Sequence, residues 1–121
     1  MTTFDDSARG YIAAWNARDA AERAEAVAAA FAPDATYTDP IATVTGRDAI
    51  ATLIAGAQEQ FAGCTFRLAG PVDGHHDQAR FVWTLGPGED ELVVGFDVVT
   101  LDGAGQITSV LGFLDRVPAA A

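Results

Sequence analysis

Tyr11, Asp39 and Asp97 are the side chains whose types and settings could do acid–base chemistry. Tyr11 falls on the apolar face of a helical pattern. Asp39 ends an extended segment just before Pro40, and Asp97 interrupts the run Val93–Val94–Gly95–Phe96–Asp97–Val98–Val99. An acid among apolar neighbours is costly to ionise, so burial would raise its pKa and leave a neutral carboxyl able to donate a hydrogen bond. Each residue also has a plainer role. Asp97 could face water or satisfy a backbone group. An Asp-Pro step is common at strand ends because proline restricts the residue before it. A tyrosine between Ala8 and Trp15 could simply fill the core, where its phenol would still need a partner.

The other reactive side chains carry less. His75 and His76 sit between Asp73-Gly74 and Asp77, a turn, where solvent exposure is expected. Adjacent histidines that point different ways suit neither a zinc site nor a catalytic triad. Cys64 is the only cysteine, so no internal disulfide can form, and it reads as a small hydrophobe at the start of a strand. Trp15 and Trp83 could line an aromatic pocket or fill the core. No glycine-rich phosphate loop, nucleophile elbow or metal-ligand spacing is present, so neither a cofactor nor a metal is implied.

The elements that must position these groups follow from periodicity. At 121 residues, half of them apolar, the chain is expected to form one domain over 1–121, with a frayed tail at 118–121. Phe4, Ala8, Tyr11, Ile12 and Trp15 recur at helical spacing. A second helix is expected from Asp19, where Asp19-Ala20-Ala21-Glu22 has the form of a capping box, with Ala20, Ala24, Val27 and Phe31 inward and Pro33 as its stop. Thr45-Gly46-Arg47-Asp48 opens a third, with Ile50, Leu53, Ile54, Ala57 and Phe61 on one side and Gly63 at its end. Strands are expected at Thr65–Val72, Ala79–Leu85, Glu91–Leu101 and Gln106–Asp115, separated by turns rich in glycine and aspartate. Helices first and an antiparallel meander afterwards predict an α+β fold.

The net charge of −10, without a basic cluster, argues against nucleic acid and anionic membranes. The first residues show no signal-peptide pattern and nothing approaches a transmembrane span, so cytoplasmic residence is expected. Small or apolar strand residues that need not all face the core, Thr84, Val98, Thr100, Thr108 and Val110, are compatible with an exposed patch and a homodimer through the sheet's outer face.

The stretch Phe31-Ala32-Pro33-Asp34-Ala35-Thr36-Tyr37-Thr38-Asp39-Pro40, then Gly46-Arg47-Asp48-Ala49-Ile50 and Gly95-Phe96-Asp97-Val98-Val99-Thr100-Leu101-Asp102, resembles the nuclear transport factor 2-like superfamily. The resemblance is to its SnoaL-like (polyketide cyclase) and ketosteroid isomerase branch, and Tyr11-Ile12-Ala13-Ala14-Trp15-Asn16 fits the same branch. It implies a cone-shaped barrel, with N-terminal helices packed on a strongly curved, mostly antiparallel sheet. By the same resemblance Tyr11 falls on the phenol that donates to the substrate oxygen, Asp39 on the general base, and Asp97 on a protonated acid beside the tyrosine. Such a raised carboxylic-acid pKa is known for ketosteroid isomerase itself. Trp15, Ile54, Phe81, Trp83, Val99, Gly112 and Leu114 are expected to line the pocket. Phe31, Ile54 and Leu114 stand where isomerases carry aromatic or phenolic residues, which makes this pocket more aliphatic.

The resulting expectation is a cofactor-free isomerase or cyclase that moves a proton next to a carbonyl of a hydrophobic cyclic ketone, with Asp97 neutral near pH 7. A non-catalytic small-molecule binding or dimerisation module is the alternative. Epoxide hydrolysis, also known on this fold, is a weaker one, because neither Arg67 nor Arg80 has an acid two residues along its strand.

Overall fold

The computed structural model describes residues 3–118, so the expected frayed tail at 118–121 lies outside the described residues except for Pro118. Three helices, α1 (Phe4–Asn16), α2 (Ala20–Ala30) and α3 (Arg47–Gln60), accompany six strands. The strands are β1 (Phe31–Thr38), β2 (Thr43–Thr45), β3 (Thr65–His75), β4 (Gln78–Gly86), β5 (Val93–Leu101) and β6 (Ile107–Arg116). All six belong to one sheet in the order β2-β1-β6-β5-β4-β3. Every neighbouring pair is antiparallel except β1 with β6, which run parallel. The sheet curves around the helices but is not closed: β2 and β3 are its edges, so the expected barrel is an open one.

Helix starts follow capping chemistry. The reciprocal box is at α1, where Thr3 accepts from the Asp6 N–H and Asp6 accepts from the Thr3 N–H, 3.1 Å each. Asp19 caps α2 one way, accepting from Ala21 and Glu22. Two details of α2 differ from expectation. Its buried residues are Val27 and Ala30, whereas Ala20 and Ala24 are exposed. The helix is rolled so that Ala30 meets α1 at Gly10, where an added Cβ would lie 3.9 Å from that of Ala30. Nor does Pro33 end the helix. It lies inside β1, in the register shift between Phe31 and Thr36 opposite β6, where the ladder is interrupted and its missing N–H costs nothing.

Alternation places Val93, Gly95, Asp97 and Val99 of β5 on the buried face. The opposite face carries half-buried Val94, Phe96, Val98 and Thr100, with exposed Leu111 and Phe113 beside them on β6. Val110 does not belong to that outer patch: it is 1% exposed, in the core. The cause is a bulge, since Leu101 pairs with Ile107 and Thr100 with Ser109, leaving Thr108 as an extra residue that resets the alternation. Thr84 is likewise buried.

Candidate functional site

Asp97 sits mid-strand in β5, between Phe81 of β4 and Gly112 of β6, and is 1% exposed. Two side chains donate to its Oδ2: the Tyr11 hydroxyl at 2.7 Å and the Trp83 indole N–H at 3.0 Å. Burial pushes the Asp97 carboxyl up to about 6, against the two donors that favour its charge and with help from the negative charge of Asp39. The direction is the expected one: burial favours the neutral carboxyl. The Tyr11 phenol is raised well above its ordinary value by burial, then by the charge of Asp97. Its ring packs among Trp15, Phe31 and Phe81, the last edge-on at 5.4 Å.

Asp39 stands just past the end of β1, half-buried. Its Oδ1 accepts from the N–H groups of Ile41 (2.8 Å) and Ala42 (2.9 Å), a turn built on its own side chain, and its Oδ2 accepts from the Tyr37 hydroxyl at 2.7 Å. Thus the plain strand-end role of Asp39 is also fulfilled. Sequence reasoning missed Tyr37. The signal was present, since residues two apart on a strand share a face, which sets Tyr37 beside Asp39. Burial, then the bond to Asp39, raises the Tyr37 phenol strongly.

One cavity of about 810 Å³ brings these groups together. Tyr11, Asp97, Tyr37 and Asp39 form a polar wall, and Thr52 and Gln60 of α3 add polar lining elsewhere. Trp15, Phe66, Trp83 and Leu85 are apolar wall, Leu53, Ala57 and Phe61 come from the α3 side, and Phe113, Leu114, Val117 and Pro118 come from the C-terminal segment. Of the expected lining, Trp15, Trp83 and Leu114 are on this surface. Ile54, Phe81 and Val99 do not line it; all three are buried in the core. On α3 the stripe Ile50–Ile54 turns into the core, and the neighbouring Leu53–Ala57 row meets the cavity. Gly112 lines a shallower groove with Asp39 and Pro40.

Glycines shape the polar wall. A Cβ on Gly95 would lie 2.1 Å from the Trp83 ring, so only glycine lets the indole cross β5 to reach Asp97. A Cβ on Gly112 would lie 2.9 Å from Asp97 Oδ1 and 3.3 Å from Asp39 Cβ.

His75 and His76 are exposed on the β3–β4 hairpin, with their Nδ1 atoms 3.0 Å apart and their rings nearly perpendicular. They face each other, contrary to the expected divergence, and neither lines the cavity. Arg80 pairs with Asp73 at 3.2 Å on the surface, and Arg67 donates to the Gly88 carbonyl. Cys64 is buried. Among the described residues no cluster of His, Cys, Asp or Glu could hold a metal ion, and no helix is long and apolar enough to cross a membrane.

Helices lying on a curved open sheet, with an apolar cavity and a few polar groups between them, define the architecture. The profile of the SnoaL-like domain family matches residues 8–110, and the chain belongs to that family. A steroid Δ-isomerase of Nocardioides simplex is 39% identical over 94 residues, which is 73% of each chain. The crystal structure of a candidate isomerase of the SnoaL-like family from Agrobacterium tumefaciens superposes with a TM-score of 0.88 at 40% identity, covering 95% of this chain and 99% of that one. A candidate polyketide cyclase from Sinorhizobium meliloti shares the fold at a TM-score of 0.67 and 22% identity, over 91% of this chain and 94% of its own.

Proposed function

We propose that the protein is a cofactor-independent isomerase or cyclase that transfers a proton α to the carbonyl of a hydrophobic cyclic ketone. The observation that carries this is the meeting of Tyr11, Asp97 and Asp39 on one largely apolar cavity. Asp39 takes the α-proton as general base and returns it to another carbon. As substrate enters, Tyr11 turns its one O–H from Asp97 Oδ2 to the oxygen on which enolate charge develops, and protonated Asp97 donates to the same oxygen. The apolar wall supplies substrate binding and keeps those dipoles in a low dielectric. The isomerase relative supports this reading, as does room for a multi-ring ligand in about 810 Å³.

The test is a panel of β,γ-unsaturated cyclic ketones, followed by the absorbance of the conjugated enone and by deuterium exchange at the α-carbon. Ligands that bind measurably yet show neither signal would leave the binding module instead. One observation favours that second reading: Asp39 already accepts three hydrogen bonds, from Tyr37 and from the turn that its own side chain builds, a purely structural use of both its oxygens. Epoxide hydrolysis has no such support, because neither Arg67 nor Arg80 lines the cavity.

The proposal includes a cytoplasmic homodimer. Dimerisation would cover Val94, Phe96, Val98, Leu111 and Phe113 on the outer sheet face. A monomer mass by light scattering at micromolar concentration removes the dimer. Cytoplasmic residence is supported by the lone cysteine, which offers no disulfide.

A further inference from the structure

Asp97 receives two donors on one oxygen and none on the other. The Tyr11 hydroxyl and the Trp83 indole N–H both reach Oδ2, and among the described residues Oδ1 has no hydrogen-bond partner. Two accepted bonds occupy the lone pairs of Oδ2, so a proton taken up by Asp97 belongs on Oδ1. That oxygen faces the backbone of Gly112, in the gap that the missing Cβ leaves open beside Asp39. The indole can reach Oδ2 only because Gly95, its pairing partner on β5, has no Cβ either.

We infer that Trp83 is a positioning residue for Asp97: in the free protein it fills Oδ2 together with Tyr11 and so directs the Asp97 proton to Oδ1, on the side where Asp39 stands and where a ligand's carbonyl oxygen would be received. The ligand part rests on the proposed proton transfer; the placement of the proton does not. Trp83 also acts on the charge of Asp97. An N–H donor favours the carboxylate, so Trp83 and Tyr11 together hold down a group that burial holds up. The titratable groups acting on Asp97 are Tyr11 from α1 and, from β1 and its end, Tyr37 and Asp39. None is a cation, which leaves neutral donors as its stabilisers.

The experiment is a carbon-13 carboxyl titration by NMR of the wild type and Trp83→Phe, without substrate. The Asp97 midpoint, about 6 in the wild type, should rise by about one pH unit when the N–H is removed, the size expected for a hydrogen bond to a charged group. The Trp83 indole proton signal of the wild type should move with the Asp97 midpoint and lose that dependence in Asp97→Asn. If Trp83→Phe fails to fold, the wild-type indole titration decides alone. A midpoint unchanged in Trp83→Phe, or an indole signal indifferent to Asp97, overturns the inference. Because both signals are read without turnover, a protein that catalyses nothing refutes the proposed function while leaving this result intact.

Discussion

Asp97 and Asp39 face the same cavity but are held by different kinds of partner. Asp97 is mid-strand and fully buried, and both of its donors are side chains from distant elements, α1 and β4. Asp39 is at a strand end, half-buried, and two of its three donors are backbone N–H groups a few residues away. A carboxyl served by side chains can be retuned by one substitution. A carboxyl built into its own turn keeps its place through most substitutions around it. The deep acid is therefore the adjustable member of the pair, and the rim acid is the fixed one.

Substitutions can break this contrast. The largest effect is expected for Asp39→Asn, which removes the proposed base. Turnover should fall by more than about 10³, and ligand affinity measured by calorimetry should stay close to wild type. Equal rates in the two proteins would remove Asp39 from the mechanism. Tyr11→Phe should cost about 10²–10³ in kcat, the usual loss for one oxyanion donor, with the fold retained by circular dichroism.

The third effect is on stability. Asp97 has its folded-state pKa raised from 3.8 to about 6, so burying it favours folding only while it is protonated. Stability should be greatest below pH 4 as far as this group is concerned, fall as pH rises through about 6, and then level off. The drop is roughly 3 kcal/mol. Denaturant titrations from pH 4 to 8 should show this slope in the wild type and a flatter one in Asp97→Asn, which cannot ionise. A parallel pair of curves would mean that another group sets the slope. The smallest effect is expected at the rim: Tyr37→Phe should change kcat by about tenfold or less, because two backbone donors still hold Asp39. A loss as large as that of Tyr11→Phe would erase the distinction between the two carboxyls.

Legibility of the site tracked the range of the interactions that build it. Helical period put Tyr11 inside, strand alternation set Asp97 on one face with Val93 and Val99, and the Asp-Pro step fixed the end of β1, all from neighbouring residues. The family resemblance added the roles. The bond from Trp83 to Asp97 was not legible, because it depends on β4–β5 register and on a glycine in the partner strand. Likewise, Ile54 was expected on the cavity and Val110 on the outer face. The roll of α3 decided the first, and the bulge at Thr108 decided the second. Neither feature has a signature in local composition.

The parallel seam between β1 and β6 sets the order in which the site can come into being. Tyr37 pairs with Val110 and Thr38 with Leu111, partners separated by more than half the chain, whereas β3, β4, β5 and β6 join by successive hairpins. Contacts between remote segments carry the larger loop-closure cost and form late. A chain emerging from the ribosome can set Trp83 beside Asp97 once β4 and β5 pair, but Asp39 has no fixed position against them until the last strand has been made and has docked along β1. Asp39 is thus the last part of the site to arrive, and an incompletely synthesised chain holds Asp97 without its counterpart across the cavity.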